Sequence, residues 1–425
     1  MNERLRMPGR STAARWNVRR LLSIGFVLML ALPAIQAALP FVRERPLTGA
    51  EEKPEQIRLS LGALWNGSFA HAVEAWINRR IGFRPTLIRL SNQIQLACGS
   101  DSPMDGKEHV CICKDGWLFE KGYMTSYAAP QQVLTDAELA TFVSTLAELQ
   151  ERLRAQGKAM VFVISPSKAE THPEFLPDAI VEQRKKYAGV SDLDRLRKHL
   201  STSGVVCFDT PRYFQARRAA DPDTRLYAKT GIHWTYQAAF EVWREILQLV
   251  NREYSAAWPI PEQIAVDYDA PRGTDEDIAK LLNLFFLPGK KDQVPYPVVD
   301  THALPLESRP NILFAGTSFS RTLVHSMCLC ESGRSCDYLF YTSRQFSLPS
   351  VKKPVSAGTS VPMKELRLDG FHSVEWETTL FDKQIVILEM LEINVHQFLY
   401  GFHDAALAAI QRRPVTERLA ARPEE

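Results

Sequence analysis

Two segments of this 425-residue chain carry residue types that can do covalent chemistry together: NILFAGTSFSRTLVHSM, around Ser318, and KTGIHWTYQAAF, around His233. A serine hydroxyl is a poor nucleophile until a base removes its proton, and a neutral imidazole is the side chain best suited to do so near neutral pH. In the first segment an apolar run is followed by a Gly-Thr-Ser turn and a helical pattern, which predicts Ser318 exposed at the carboxyl end of a strand. Backbone N–H groups at such a turn have no helical partner and can hold an oxyanion. In the second segment Thr235 is a good N-cap, and Ala239, Phe240, Trp243, Ile246 and Leu247 mark the helix after it. His233 then sits in the loop before that helix, free to turn toward a sheet edge.

The elements needed to bring these two segments together are legible as four short apolar runs, KAMVFVISPSK, GVVCFDT, NILFAGTSFS and QIVILEM. Each is too short for a free-standing helix, and most are rich in β-branched residues, as buried parallel strands are. The first two follow helical patterns, DAELATFVSTLAELQERLRAQG and VSDLDRLRKHLSTSG, each closing on glycine. Alternation of this kind predicts a doubly wound α/β fold, with a mostly parallel sheet and helices on both faces. Ligands bind beyond the carboxyl ends of the strands in such folds, which points to Ser165 to Lys168, Asp209, Gly316 to Ser320, and Glu389. The stretches 281–310 and 347–366 show no sustained period and read as loops.

The first twenty residues carry six Arg and one Glu, and no charge follows from Leu21 to Val42. That pattern predicts a signal peptide or membrane anchor with its N-terminus in the cytoplasm and everything from residue 43 exported. Ala37 and Ala38 suit a signal peptidase, so cleavage and retention both stay open. Residues 43–60 read as a tether, residues 61–410 as the folded domain and 411–425 as a polar tail. Within the domain's first segment, Leu64, Phe69, Val73, Trp76 and Ile77 form one helical stripe, with Asn66-Gly-Ser as capping chemistry. The net charge of +2 selects no nucleic acid. Seven cysteines in an exported chain are disulfide candidates, Cys98 with Cys111 or Cys113 and Cys336 with Cys328 or Cys330, with Cys207 a buried thiol. Their spacing lacks the paired pattern of a zinc site, and no metal or cofactor is expected.

Taken in order, these motifs resemble the SGNH-hydrolase-like domain of periplasmic alginate O-acetyltransferases of the AlgX and AlgJ type. KDGWLFEKGY (114–123) is similar to that family's GWLF segment, VISPSKAETHPEFLP (163–177) to its P-x-K strand end, and WINRRIGFRPTLIRL to its first helical segment. HWT and GTSFS follow in the family's order, so the likeness spans roughly Leu61 to Phe398. The resemblance implies an acetyl-serine formed at Ser318 with His233 as base, and transfer of the acetyl group to a hydroxyl of a polysaccharide. It also implies a membrane-bound O-acyltransferase as donor partner, tethering to the inner membrane and a periplasmic location. One position departs from the family: the acid two residues before the histidine is Gly231 here. Asp209 or Glu389 is expected to orient the imidazole instead; a Ser-His dyad and a non-catalytic polysaccharide-binding domain are the alternatives, and an acetylesterase is the enzymatic rival. Lys168, Gly316, Thr317, Ser320 and Trp234 are candidate substrate contacts, with Trp117 and Trp234 able to stack on sugars or pack in the core.

Overall fold

A computed structural model of the chain describes residues 12–49, 60–100, 110–287, 292–300, 305–351 and 354–412. The basic segment before residue 12, much of the expected tether and the tail after 412 lie outside the described residues. The chain forms two compact units, one of residues 1–103 with 280–287 and the other of residues 104–279 with 288–425.

Among its described residues the first unit contains the helices α1 (Thr12–Ala38), α2 (Leu61–Trp65), α3 (Ser68–Arg80) and α4 (Arg84–Ala97). The apolar part of α1, Arg20–Ala38, is long and apolar enough to cross a membrane. Asn66 accepts from the Ser68 N–H at 3.0 Å, so the Asn-Gly-Ser run does shape the start of α3. Of the apolar stripe, Leu64, Trp76 and Ile77 are about half exposed, while Phe69 and Val73 are partly buried.

The second unit is built on a seven-stranded sheet. In chain order its strands are β1 (Ala159–Ser165), β2 (Cys207–Asp209), β3 (Asn311–Gly316), β4 (Ser335–Phe340), β5 (Arg344–Leu348), β6 (Lys364–Arg367) and β7 (Ile385–Leu391). Their spatial order is β6-β5-β4-β3-β7-β1-β2. The five strands from β4 to β2 run parallel, and β5 and β6 add an antiparallel edge. The four strands read from sequence are β1, β2, β3 and β7. The chain steps outward from β1 to β2, then returns to β3 on the other side, with β7 filling the gap between them. That reversal of strand order opens the crevice in which a doubly wound sheet places its site.

Both faces of the sheet are covered, so β1 and β7 are buried along their full length. Val161, Val163 and Ile387 point into one core, against helix α7 (Tyr236–Tyr254) and helix α8 (Phe319–Leu329). Phe162, Ile164 and Leu388 point into the other, with Leu139, Leu146 and Leu153 of helix α5 (Asp136–Arg154) and Leu196 of helix α6 (Asp192–Leu200). Helix α9 (Phe402–Arg412) closes this second layer. Alternation along each strand thus feeds two cores, as continuous apolar runs require. Thr135 caps α5 in a reciprocal box with Glu138.

Three features differ from the sequence reading. The stretch 347–366, read as loop, is strand at both ends, in β5 and β6. Val294–Val299, inside a stretch read as loop, pairs antiparallel with Gln263–Asp269. Its two prolines hide the strand signal, yet a two-stranded ribbon leaves outward N–H positions where proline costs no ladder bond. The structure joins none of the described cysteines by a disulfide. Cys330, at the end of α8, turns its thiol to the Ser326 carbonyl at 2.9 Å, and burial pushes Cys328 up to about 12 and Cys330 up to about 11. These are packed thiols of an apolar layer.

Because β7 lies beside β3, which leads into Ser318, truncating it at Ile387, which is fully buried, tests the layer directly. Ile387→Ala is expected to lower unfolding free energy by about 2–5 kcal/mol, read as a fall in the urea midpoint at unchanged m-value.

Candidate active site

Ser318 leaves β3 and begins α8, half-buried at the carboxyl edge of the sheet. His233 lies in the loop before α7, where Thr235 caps the helix by accepting from the Ala238 N–H at 3.1 Å. The structure brings them together across 85 residues of sequence: His233 Nε2 is 2.8 Å from Ser318 Oγ. The other ring nitrogen, Nδ1, is 2.7 Å from Oδ2 of Asp277. A carboxylate on Nδ1 holds the neutral ring's proton there, leaving Nε2 to accept from the serine hydroxyl. The Phe319 ring lies 4.9 Å from the imidazole and walls it on one side.

Asp277 was not among the expected acids. It stands at the start of the short helix Asp277–Leu281, and its second oxygen, Oδ1, accepts from the N–H groups of Ile232 and Ile278, both at 2.8 Å. One carboxylate therefore fixes both the imidazole and the backbone beside it. Gly231 explains how the segment fits. A Cβ at 231 would meet the Thr274 carbonyl at 2.6 Å and the Asp275 backbone at 2.9 Å. The missing acid of the D-x-H position is thus replaced by space, into which the backbone before Asp277 packs. Thr230 completes the contact, donating to the Asp275 carbonyl at 2.7 Å and accepting from the Ala279 N–H at 3.1 Å.

The two acids that were expected do other work. Asp209 ends β2, three strands from β3, roughly 14 Å away at normal strand spacing. It forms a two-point ion pair with Arg197 at 2.8 and 3.0 Å and caps the helix Thr210–Ala220 through the Arg212 N–H. It does not meet His233. Glu389, on β7, faces the serine turn instead of the histidine. Its Oε2 accepts from the Thr317 N–H at 2.6 Å, the Thr317 hydroxyl at 2.7 Å and the Ser320 hydroxyl at 3.2 Å. Burial raises its pKa, while those donors act in the opposite direction. Gly316 allows this approach, since a Cβ there would lie 2.7 Å from Glu389 Oε2. Tyr338 adds a donor to the Thr317 carbonyl at 2.7 Å, so the turn is held from two neighbouring strands.

Most of the expected substrate contacts face inward. Ser320 and Thr317 are buried and occupied by Glu389. Trp234 is fully buried; its indole N–H donates to Thr322 and its ring packs edge-on to Phe319. It links the start of α7 to α8, and so His233 to Ser318. Trp117 is likewise core, stacked on Phe175 at 4.2 Å. Lys168 is buried too, donating to the carbonyls of Leu118, Lys229 and Gly231 at 2.8, 2.8 and 2.9 Å, with its ammonium over the Trp117 ring. It clamps the Lys229–Gly231 loop that leads into His233, and cannot reach a substrate. Being at a strand's carboxyl end places a residue near the edge but leaves open whether its side chain points out or back into the core.

Substituting Asp277 by Asn keeps the shape but removes the charge that fixes the tautomer, and is expected to slow acetyl-ester turnover by about 10⁴-fold. Asp209→Asn is expected to leave turnover near that of the unsubstituted chain, as read in the same assay. Lys168 gives a pH signature of the clamp. Burial pushes it down from 10.5 to about 7, so between those values the unfolded chain binds more protons than the folded one. Its contribution to stability rises with pH across that window and is lost as pH falls through about 7. The gap in urea midpoint between the unsubstituted chain and Lys168→Met should therefore widen from neutral to alkaline pH; a constant gap would contradict the lowered pKa of the buried ammonium.

A family model described as the SGNH hydrolase-like domain of the acetyltransferase AlgX matches residues 110–325. That span includes His233, Asp277 and Ser318. No curated protein matches the sequence significantly. Among solved structures, the O-acetyltransferase domain of Pseudomonas putida AlgJ is 16% identical, covering 70% of this chain and 99% of that one, with a TM-score of 0.40. Bacillus cereus PatB1 with a sulfonyl adduct is 13% identical over 70% of this chain and 99% of its own, at a TM-score of 0.42. Pseudomonas aeruginosa AlgX is 12% identical over 73% and 71%, at 0.41.

Proposed function

Because this chain belongs to the family of SGNH hydrolase-like domains named for the acetyltransferase AlgX, we propose that it is an extracytoplasmic O-acetyltransferase acting on an exopolysaccharide, alginate or another. The observation that carries this reading is the continuous line from Asp277 through His233 to a partly exposed Ser318, with contacts of 2.7 and 2.8 Å.

In the first half of the reaction, His233 Nε2 takes the proton from Ser318 Oγ as that oxygen attacks the acetyl carbonyl of the donor. The imidazolium formed is stabilised by Asp277 and returns the proton to the leaving group, which departs as the acetyl-serine ester forms. In the second half, a sugar hydroxyl gives its proton to Nε2 and attacks the ester carbonyl. The acetyl group passes to the sugar oxygen, and Ser318 regains its proton. Both tetrahedral intermediates carry an oxyanion beside the first turn of α8. The Ser318 N–H, which meets no acceptor among the described residues, is the donor suited to it. Phosphorylated or thioester acetyl donors are made in the cytoplasm, so the acetyl group arrives through a membrane-bound O-acyltransferase partner. The membrane-crossing length of α1 supports a periplasmic location beside such a partner.

The test is mass spectrometry of the full chain after brief exposure to an activated acetyl ester. One acetyl group on the peptide containing Ser318, absent in Ser318→Ala and strongly reduced in His233→Ala, is the expected result. With defined oligosaccharides added, O-acetylated sugar should appear and the adduct should decay faster. An adduct that yields only free acetate would identify an esterase, and absence of any adduct would leave a polysaccharide-holding role.

A further inference from the structure

Three short helices of the first unit carry apolar faces that the described residues of that unit leave exposed. On α2, Leu61, Leu64 and Trp65, at spacings of three and four, are 88%, 53% and 95% exposed. On α3, Trp76 and Ile77 are about half exposed, followed by Ile81 in the turn; on α4, Leu87, Leu90 and Ile94 repeat at three and four residues and are all exposed. Exposed indoles and a continuous aliphatic stripe of this kind are not the surface of a water-facing hairpin.

The α3–α4 turn and α4 are built onto the chain where α1 ends. The Gly82 N–H, in the turn between α3 and α4, donates to the Pro33 carbonyl of α1 at 3.1 Å. Only glycine permits this approach, since a Cβ at 82 would fall 2.3 Å from that carbonyl and 2.6 Å from Gln36 Cβ. Phe41 meets Phe83 edge-on at 5.9 Å. Further along, Glu44 accepts from the N–H and hydroxyl of Thr86, and Arg89 donates to the carbonyls of Arg45 and Pro46 at 2.8 and 2.7 Å. The chain leaving α1 is thus tied along one side of α4, while Leu87, Leu90 and Ile94 remain exposed.

We propose that α1 is retained as an anchor and that α2, α3 and α4 lie flat in the outer interface of the bilayer it crosses, apolar faces in lipid. Depth supports this occupant. Pro33 precedes the end of α1 at Ala38 by five residues, so the α3–α4 turn sits about 8 Å below the helix's exit at 1.5 Å per residue. Interfacial helices bury their apolar faces about 5–10 Å into the headgroup and acyl boundary. Trp65 and Trp76 suit that layer, where indoles concentrate. The turn also carries Arg79, Arg80 and Arg84, with the Arg80 guanidinium 4.3 Å from the Trp76 ring centre, so charge at the headgroup level matches anionic lipid.

The full chain, reconstituted alone in phosphatidylethanolamine and phosphatidylglycerol vesicles, tests this through its own indoles. The emission of Trp65 and Trp76 is isolated as the difference between the unsubstituted chain and Trp65→Phe/Trp76→Phe, both exposed positions where the change leaves folding intact. Lipids brominated high on the acyl chain should quench that difference signal at least about twofold, and more than lipids brominated near the chain end. Emission at the position of water-exposed indole with no quenching would overturn the proposal. So would blue-shifted emission that brominated lipid does not quench, which would mean a second copy covers the face. A mature chain lacking residues 1–38 would overturn it as well.

Discussion

The contact between the Asp277 carboxylate and the His233 imidazole is the constraint on which the site depends. Without a carboxylate beside Nδ1 the ring has no fixed tautomer, and Nε2 has no reason to face Ser318 as an acceptor. Three separate parts of the chain must agree for that line to exist: the turn after β3, the loop before α7, and the segment from Gly273 to Ala279. Each is fixed by its own device. Glu389 gathers the donors of Thr317 and Ser320, Lys168 clamps the carbonyls before His233, and Gly231 leaves room for the backbone that carries the acid.

Two of those devices, Glu389 and Lys168, are buried ionisable groups beside apolar layers, so their removal costs more than the bonds they make. Lys168 offers three N–H donors to three carbonyls, which fits an ammonium; burial nevertheless pulls its pKa down to about 7. Glu389 sits in a comparable position on the serine side, raised by burial and steadied by hydroxyl and amide donors. The two apolar cores on either face of the sheet supply the rigidity against which these polar clamps are set.

How much of this was legible depended on whether the signal was local. Apolar runs of four to seven residues betrayed β1, β2, β3 and β7, because a strand buried on both faces has no polar alternation to obscure it. Ser318 and His233 stood out because each combines a reactive side chain with a helix start. Asp277 did not: it lies in GTDEDIAK, which reads as a solvated acidic stretch, and the clue to its role is a missing side chain at 231. A glycine's function as vacant space shows only when its neighbour is known. Asp209 and Glu389 were reasonable candidates by position, yet sheet order sets Asp209 three strands away and points Glu389 at the other half of the site. Lys168, Trp234 and Ser320 failed as substrate contacts for a related reason, since proximity to the sheet edge does not determine side-chain direction. The stripe on α2 and α3 shows the converse: periodicity identified an apolar face, and the structure leaves Leu64, Trp76 and Ile77 of it about half exposed.

Proton NMR of the full chain with ¹⁵N-labelled histidine tests the central contact most directly. A strongly deshielded N–H resonance assigned to His233 Nδ1 is expected in the unsubstituted chain, retained in Asp209→Asn and in Ser318→Ala, and lost in Asp277→Asn. Persistence of that resonance in Asp277→Asn, or its loss in Asp209→Asn, would contradict the assignment of Asp277 as the acid that holds the imidazole.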